Sequence, residues 1–210
     1  MNVHSPAPSA GESLPGRRSV LFGMASGALL LTGCAAPDSL AAQARAGDNK
    51  NYIAGDGSVS EYASNDRSAP VEMQGPLYDG TVLSSTDWRG SVTVLNVWYA
   101  ACAPCRTEAP TLETLYQENK DDGVLFYGIN LRDTAATAAA FERTFGTTYP
   151  SFNDADGSIL LALAEYVPPR AVPTTLVLDK QGRVSARVLG LAEKSTLKAL
   201  IRSALKEPGA

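Results

Sequence analysis

The 210-residue chain predicts an α/β fold with a mixed central sheet, helices on both faces and an N-terminal β-hairpin. Apolar runs typical of buried strands alternate with stretches of helical periodicity. A Cys-Ala-Pro-Cys sequence, Cys102 to Cys105, separates the most apolar of these runs from the helix that follows it. The content of 44% hydrophobic and 19% charged residues suits one globular domain with appendages. A net charge of −4 gives no indication of a nucleic-acid surface.

The elements of this domain follow one another between turn residues. Gly75-Pro76 and Asp79-Gly80 are turn residues that indicate a short hairpin. Thr134 is a candidate N-cap of the helix that follows it. Leucines, an isoleucine and an alanine recur with helical spacing near the C-terminus. The expected elements are strands at 71–73 and 81–83, a strand at 91–99, a helix at 103–119, a strand at 124–130, helices at 134–145 and 158–166, a strand hairpin at 174–178 and 183–189, and a helix at 197–205.

Residues 1–33 are typical of an export signal. Arg17-Arg18 supplies a basic start, and the apolar core from Val20 to Leu31 is shorter than the roughly 20 residues of a spanning helix. Leu31-Thr32-Gly33-Cys34 resembles a bacterial lipobox, in which the cysteine becomes the lipidated first residue of the mature protein. A plain secretory signal with a chance cysteine remains the alternative. The arginine pair leaves export by the twin-arginine or the general route open.

Residues 34–68 are rich in small and polar residues and show little apolar periodicity. We expect this stretch to be a lipidated tether whose roughly 30 flexible residues reach about 30 Å from the membrane. An alternative stays open, in which Tyr52, Ile53 and Tyr62 pack an ordered extension against the domain. The domain itself is expected at residues 69–210.

The counts of cysteine and histidine limit the kinds of catalytic and metal site that the chain can form. With Cys34 lipidated, Cys102 and Cys105 remain as a pair. His4 is the only histidine and leaves with the signal, so the mature protein has no imidazole. This excludes Ser-His-Asp and Cys-His catalysis and metal sites that need histidine.

The position of Cys102 predicts a reactive thiol. It lies where a strand turns into a helix, beside unpaired backbone N–H groups and the positive end of the helix dipole. Both favour the thiolate, which is the reactive form. Cys102 is therefore the expected nucleophile, and Cys105 is the resolving thiol one turn away. The alternatives are a purely structural disulfide and a metal-binding pair. Two cysteines supply only two of the four ligands that a structural zinc site needs.

The order of elements and the placement of the cysteines resemble the thioredoxin fold. The resemblance is closest to the TlpA/ResA/CcmG group of membrane-anchored, extracytoplasmic thiol–disulfide oxidoreductases, and it covers about residues 69–205. The segments that carry it are Asn96-Val97-Trp98, Cys102 to Arg106, Glu108-Ala109-Pro110, Gly128-Ile129-Asn130, Val172 to Thr175 and Asp179 to Val184.

The resemblance implies roles for two further positions, and two others differ from the usual residue. Glu108 matches an acidic residue that exchanges protons with the thiols, whereas Asn96 stands where many thioredoxins have a buried aspartate. Pro173 matches the cis-proline that faces the disulfide and leaves neighbouring backbone groups free to pair with an extended substrate. Ala101 replaces the usual tryptophan before the first cysteine, which should expose the disulfide and widen the acceptable substrates.

These observations predict a lipid-anchored, monomeric oxidoreductase on the outer face of the cytoplasmic membrane. By resemblance it reduces disulfides of exported proteins, such as an apocytochrome c haem-binding motif, and a membrane electron donor with its own dithiol re-reduces it. No cofactor or metal is implied. A thiol peroxidase is one alternative, although the Pro-x-x-x-Thr-x-x-Cys pattern it needs is missing before Cys102. A tethered peptide-binding module with a structural disulfide is the other.

Overall fold

The computed structural model describes residues 52–209, so the expected signal peptide and Cys34 lie outside the described residues. Two short 3₁₀ turns, Ser85–Trp88 and Lys120–Asp122, accompany the regular elements. In chain order the elements are β1 Ser58–Glu61, β2 Gln74–Pro76, β3 Val82–Ser84, β4 Thr93–Trp98, α1 Ala103–Asn119, β5 Leu125–Asn130, α2 Ala135–Phe145, β6 Ser151–Asn153, α3 Ser158–Ala162, β7 Thr174–Leu178, β8 Val184–Leu189 and α4 Lys194–Lys206.

The central sheet is mixed, as predicted. Its strand order is β1-β8-β7-β4-β5-β6, with β4, β5 and β6 parallel and with β7, β8 and β1 joined by antiparallel pairing. All six residues of β4 are buried, since this central strand is covered on both faces. That double cover explains why four of its six residues are apolar, with Thr93 and Asn96 as buried polar residues among them.

Two hydrophobic clusters fill the space on either side of the sheet. One contains Trp98 together with Phe141 of α2. The other joins Leu112 of α1 to Leu197 and Ile201 of α4. Helices therefore cover both faces, which confirms the predicted α/β layering.

Most predicted elements are present with small shifts in their ends. The helix at 103–119 and the strand at 174–178 have the predicted bounds, and Thr134 caps α2 by accepting a hydrogen bond from the Thr137 amide. The hairpin exists as a separate two-stranded sheet, but its first strand is β2 rather than 71–73. The short helix ends at Ala162 instead of Tyr166. Strands β1 and β6 were not predicted.

The prediction of a tether as far as Ser68 is wrong for residues 52–68. Strand β1 pairs antiparallel with β8, from Ser58 opposite Leu189 to Glu61 opposite Ala186. The sequence hides this strand because it lies at the sheet edge, where polar side chains face solvent. The alternative of an ordered extension is therefore what the structure shows for these residues.

A buried ion pair holds the extension to the domain. The guanidinium of Arg67 binds the Asp179 carboxylate at 2.8 Å and also contacts Glu207 beyond α4. Asp179 is fully buried and binds Arg183 as well, and these contacts lower its pKa against the opposing effect of burial. Across residues 52–209, no helix is both long enough and apolar enough to cross a membrane.

Candidate active site

The two cysteines lie at the junction of β4 and α1. The Cys102 amide donates to the Tyr99 carbonyl at 3.1 Å, which forms the turn out of the strand. Cys102 is the N-cap of α1, and its Sγ accepts a hydrogen bond from the Cys105 amide at 3.2 Å. Pro104 lies in the first helical turn, where the N–H that proline lacks would have no helical partner. The predicted position of Cys102 at a helix N-terminus is therefore what the structure shows.

Cys102 and Cys105 form a disulfide. Their sulfur atoms are 2.10 Å apart and their Cα atoms 5.3 Å apart. Cys102 is 0% exposed and Cys105 is 2% exposed. The expectation that Ala101 would leave the disulfide exposed is thus wrong, because the Ala101 side chain itself faces solvent while both cysteines pack into the core cluster.

Glu108 is buried one helical turn beyond Cys105, with 1% of its surface exposed. One carboxylate oxygen accepts a hydrogen bond from Asn96 Nδ2 at 2.7 Å, and the other accepts one from the Ala192 amide at 3.2 Å. The same Asn96 nitrogen donates to Thr175 Oγ1 at 3.1 Å. Strands β4 and β7 thus both contribute to the polar contacts around this side chain.

Burial raises the pKa of Glu108 from its ordinary value of 4.5 to about 8, and the hydrogen bonds from Ala192 and Asn96 lower it by less. No cation contributes to this balance. The carboxyl group is therefore predominantly neutral at pH 7, with a minor ionised fraction, and it titrates close to the range in which thiols do. Such a group can exchange a proton with a neighbouring thiol.

Pro173 is buried and follows a cis peptide bond, as the resemblance implied. Its carbonyl accepts a hydrogen bond from the Gly190 amide at 2.9 Å. The backbone beside it differs from expectation, because the Val172 amide donates to the carbonyl of Ile53 at 3.2 Å. The Val172 amide, expected to be free for a substrate, is thus occupied by the chain's own N-terminal extension.

Arg132 and Asp133, which follow β5, also belong to the site, and the sequence analysis did not identify them. The Asp133 carboxylate accepts from the Ala100 amide at 2.6 Å and from Asn130 Nδ2 at 2.8 Å, which fixes the loop before the cysteines. The Arg132 guanidinium lies 4.0 Å from the centre of the Tyr99 ring. Their position could have indicated this, since the carboxyl ends of neighbouring parallel strands meet at one edge of a sheet.

The residues of this site are those that dithiol–disulfide exchange requires. Within the described part of the chain, no group of three or more His, Cys, Asp or Glu side chains is placed to hold a metal ion. What the site offers is a closed disulfide at a helix N-terminus and a buried carboxyl group that can carry a proton. Fold and site together define a thiol–disulfide oxidoreductase of the thioredoxin fold.

Comparison with known proteins agrees with this class. The chain belongs to the AhpC/TSA family, whose model matches residues 66–187. It is 33% identical over 133 residues to the thiol:disulfide interchange protein DsbE of Pseudomonas aeruginosa, covering 61% of this chain and 69% of that one. It is 32% identical over 118 residues to the thiol-disulfide oxidoreductase ResA of Geobacillus thermodenitrificans, covering 56% of this chain and 66% of that one.

A solved structure gives the same fold. The secreted thiol-disulfide isomerase of Corynebacterium glutamicum superposes with a TM-score of 0.64 at 29% identity. The match covers 75% of this chain and 98% of that chain. The thioredoxin fold predicted from the sequence is confirmed.

The raised pKa of Glu108 predicts a dependence of stability on pH. Below about pH 4.5 the carboxyl group is neutral in the folded and the unfolded chain, so the stabilising effect of the neutral form is fully present. Between pH 4.5 and about 8 only the unfolded chain releases the proton, so the folding constant falls by about tenfold per pH unit. Above pH 8 both states are ionised and the fall stops.

Glu108→Gln removes this titration while keeping the size and most hydrogen bonds of the side chain. Urea unfolding of the two oxidised proteins across pH 4 to 9 measures the effect. We expect the stability of wild type relative to the variant to decline with pH over that window and then level off. Parallel curves would show that Glu108 has an ordinary pKa.

Proposed function

We propose that this protein reduces disulfides of exported proteins at the outer face of the cytoplasmic membrane, held there by lipid on Cys34. The observation that carries the catalytic part is the disulfide at the head of α1, with a buried, protonatable Glu108 in the next turn. Lipobox-like residues Leu31 to Cys34 support the anchor. The relatives named DsbE and ResA support disulfide exchange as the reaction.

In the first step the reduced protein attacks a substrate disulfide. The Cys102 thiolate forms a new S–S bond with one substrate sulfur, and the other substrate sulfur leaves as a thiolate that takes up a proton. The Cys105 amide supports the attacking form, since it donates a hydrogen bond to the Cys102 sulfur at 3.2 Å. The product of this step is a mixed disulfide between Cys102 and the substrate.

In the second step Cys105 resolves the mixed disulfide. The Cys105 thiol gives up its proton, which the ionised form of Glu108 accepts, and its sulfur attacks Cys102. The bond between Cys102 and the substrate breaks, and the second substrate sulfur leaves as a thiolate. Two electrons have passed to the substrate, and the protein is left with the Cys102–Cys105 disulfide. A membrane donor with its own dithiol then supplies the two electrons that reopen it.

The residues between the cysteines disfavour a very strong oxidant. Ala103 and Pro104 place no positive charge beside Cys102, so stabilisation of its thiolate depends mainly on the helix terminus. A strong oxidant needs a more stabilised thiolate than this. The guanidinium of Arg106 lies 5.4 Å from the centre of the Phe145 ring. A haem-binding motif of apocytochrome c is the substrate that the resemblance implies.

The assignment of attacking and resolving thiols predicts different trapping by two variants. Cys105→Ser should accumulate a mixed disulfide between Cys102 and substrate, because no resolving thiol remains. Cys102→Ser is the matched control and should trap little. Non-reducing electrophoresis of acid-quenched, alkylated cells measures both. Equal trapping by the two variants would mean that the roles are assigned wrongly.

The role of Glu108 predicts a change in the titration of Cys102. Ionised Glu108 opposes formation of a nearby thiolate, so Glu108→Gln should lower the pKa of Cys102. With the second titrating group removed, the titration curve of Cys102 should also fit a single pKa. Alkylation rates of the reduced proteins across pH 5 to 10 measure this, and a shift of one unit corresponds to about 1.4 kcal/mol of coupling. Glu113→Gln is the control, since this carboxylate on the same helix contacts the Thr148 amide. Identical curves for wild type and Glu108→Gln would remove Glu108 from the mechanism.

The anchor predicts a change of location for Cys34→Ala. The variant should be released from membranes or retain its signal peptide, because the lipid attachment site is lost. Fractionation and mass spectrometry of the N-terminus measure both outcomes. Wild-type protein found free in the medium with an unmodified Cys34 would contradict the anchor.

A further inference from the structure

The side chain of Asn96 joins three elements of the domain, which are β4, α1 and β7. Its Nδ2 atom donates to Oε1 of Glu108 at 2.7 Å and to Oγ1 of Thr175 at 3.1 Å. Asn96 and Thr175 lie directly opposite each other in the antiparallel pairing of β4 with β7. All three residues are buried, with at most 3% of their surface exposed. These hydrogen bonds are therefore made away from solvent, where the loss of one partner leaves the other unsatisfied.

Thr175 determines which end of the Asn96 amide faces Glu108. A side-chain amide has two N–H donors on its nitrogen and one acceptor oxygen. In this site one N–H is directed to the carboxyl oxygen of Glu108 and the other to the hydroxyl oxygen of Thr175. The hydrogen-bond network assigns this orientation, because a flipped amide would turn its oxygen toward an ionised carboxylate. Asn96 thus presents a donor to Glu108.

This donor favours the ionised form of Glu108 against the effect of burial. Burial raises the pKa of the carboxyl group to about 8, and the hydrogen bonds from Ala192 and Asn96 lower it by less. The other titratable groups near it are the cysteines of the same helix and the buried Tyr149. Burial, with a smaller contribution from the charge of Glu108, raises the pKa of Tyr149, so this phenol stays neutral. Asn96 is therefore the side chain that lets Glu108 ionise.

We propose that Asn96 is a positioning residue for the step in which Cys105 resolves the mixed disulfide, and that Thr175 holds it in place. In that step the proton of the Cys105 thiol passes to a carboxylate oxygen of Glu108, and the electron pair of the S–H bond stays on the sulfur that attacks Cys102. Asn96 keeps both of its N–H hydrogens and stabilises the ionised carboxylate. Without this donor Glu108 would stay protonated to higher pH, and a smaller fraction of it could accept the proton.

This proposal rests on the role of proton acceptor proposed above for Glu108 and adds the residues that control it. An amide suits the position of Asn96, because an aspartate there would place a second carboxyl group within hydrogen-bond distance of the first. Two such groups titrate as a coupled pair in which one pKa is strongly raised. An apolar residue would leave the Ala192 amide as the donor that opposes the effect of burial.

Infrared titration of the oxidised protein tests the effect on Glu108. The cysteines do not titrate in this form, and the C=O stretch of a neutral carboxyl group that is missing in Glu108→Gln identifies the residue. Asn96→Leu should raise the pH at which this band disappears by about one unit or more, since a hydrogen bond to the charged form is removed. Thr175→Val should shift it in the same direction by a smaller amount, and it tests the proposal independently of whether Asn96→Leu folds.

Two further variants separate positioning from packing. Thr175→Ser keeps the hydroxyl group and should restore the titration that Thr175→Val shifts. Thr174→Val makes the same change at the neighbouring buried threonine, whose hydroxyl donates instead to the Ala171 carbonyl at 2.7 Å. It should leave the Glu108 band in place. An equal shift in Thr174→Val and Thr175→Val would show an effect of packing and overturn the proposal.

Rapid-quench reduction of hydroxyethyl disulfide measures the resolving step. Mass spectrometry follows the decay of the mixed disulfide between Cys102 and mercaptoethanol, which ends when Cys105 attacks. Its rate at pH 7 should fall about tenfold in Asn96→Leu, because the ionised fraction of Glu108 falls by that factor per unit of pKa. The pH profile of this rate should move upward by the same amount as the infrared titration.

The outcomes separate this proposal from the proposed function. An unchanged Glu108 band in both Asn96→Leu and Thr175→Val, or a pH profile that stays in place while the band shifts, would overturn the positioning role. Wild-type protein that reduces hydroxyethyl disulfide but not the disulfides of insulin would contradict the reduction of protein disulfides. The infrared titration needs no substrate, so it tests Asn96 in either case.

Discussion

The hydrogen bond from the Cys105 amide to the sulfur of Cys102 is the contact on which the chemistry of this fold depends. This hydrogen bond forms because α1 begins at Ala103, five residues after β4 ends at Trp98. Cys102 is therefore the N-cap residue, and its sulfur takes the place of a capping oxygen. Residues 52–209 contain no histidine that could stabilise the thiolate, so the helix terminus is the main source of stabilisation that this part of the chain provides. The same junction places Cys105 and Glu108 on successive turns of one rigid helix.

The burial of Glu108 also gives that helix a carboxyl group with a raised pKa. Three carboxylates are buried among the described residues, and they differ in their partners. Asp179 binds two arginines, and Asp154 accepts hydrogen bonds from the amides of Ile159 and Leu160 at the start of α3. Glu108 accepts from Asn96 and Ala192, and burial raises the pKa of both Asp154 and Glu108, that of Glu108 to about 8. Of these two, Glu108 is the one that lies one helical turn from the cysteine pair, which makes it the candidate for proton exchange with a thiol.

The sequence predicted the parts of the structure whose causes are local. Helix α1 has a cap, a proline in the first turn and an apolar face, and its bounds of Ala103 and Asn119 were predicted correctly. Strands β1 and β6 were missed because they are short and exist only through pairing with β8 and β5. The family resemblance indicated Pro173 and Glu108, whereas Arg132 and Asp133 could have been inferred only from a parallel pairing of β4 with β5, which places the ends of both strands at one edge of the sheet.

The largest difference between sequence and structure lies in the extension, and it changes how the site is understood. A polar stretch rich in glycine predicts a tether, yet Gly55 and Gly190 allow the two backbones to cross closely, because a Cβ atom on either would clash with the other strand. The replacement of the usual tryptophan by Ala101 suggested an open site, but Cys102 is fully buried. The chain thus provides, from residues 52–54, contacts to both the Pro173 loop and Tyr99. The extension is therefore part of the surroundings of the dithiol, through the Pro173 loop and Tyr99.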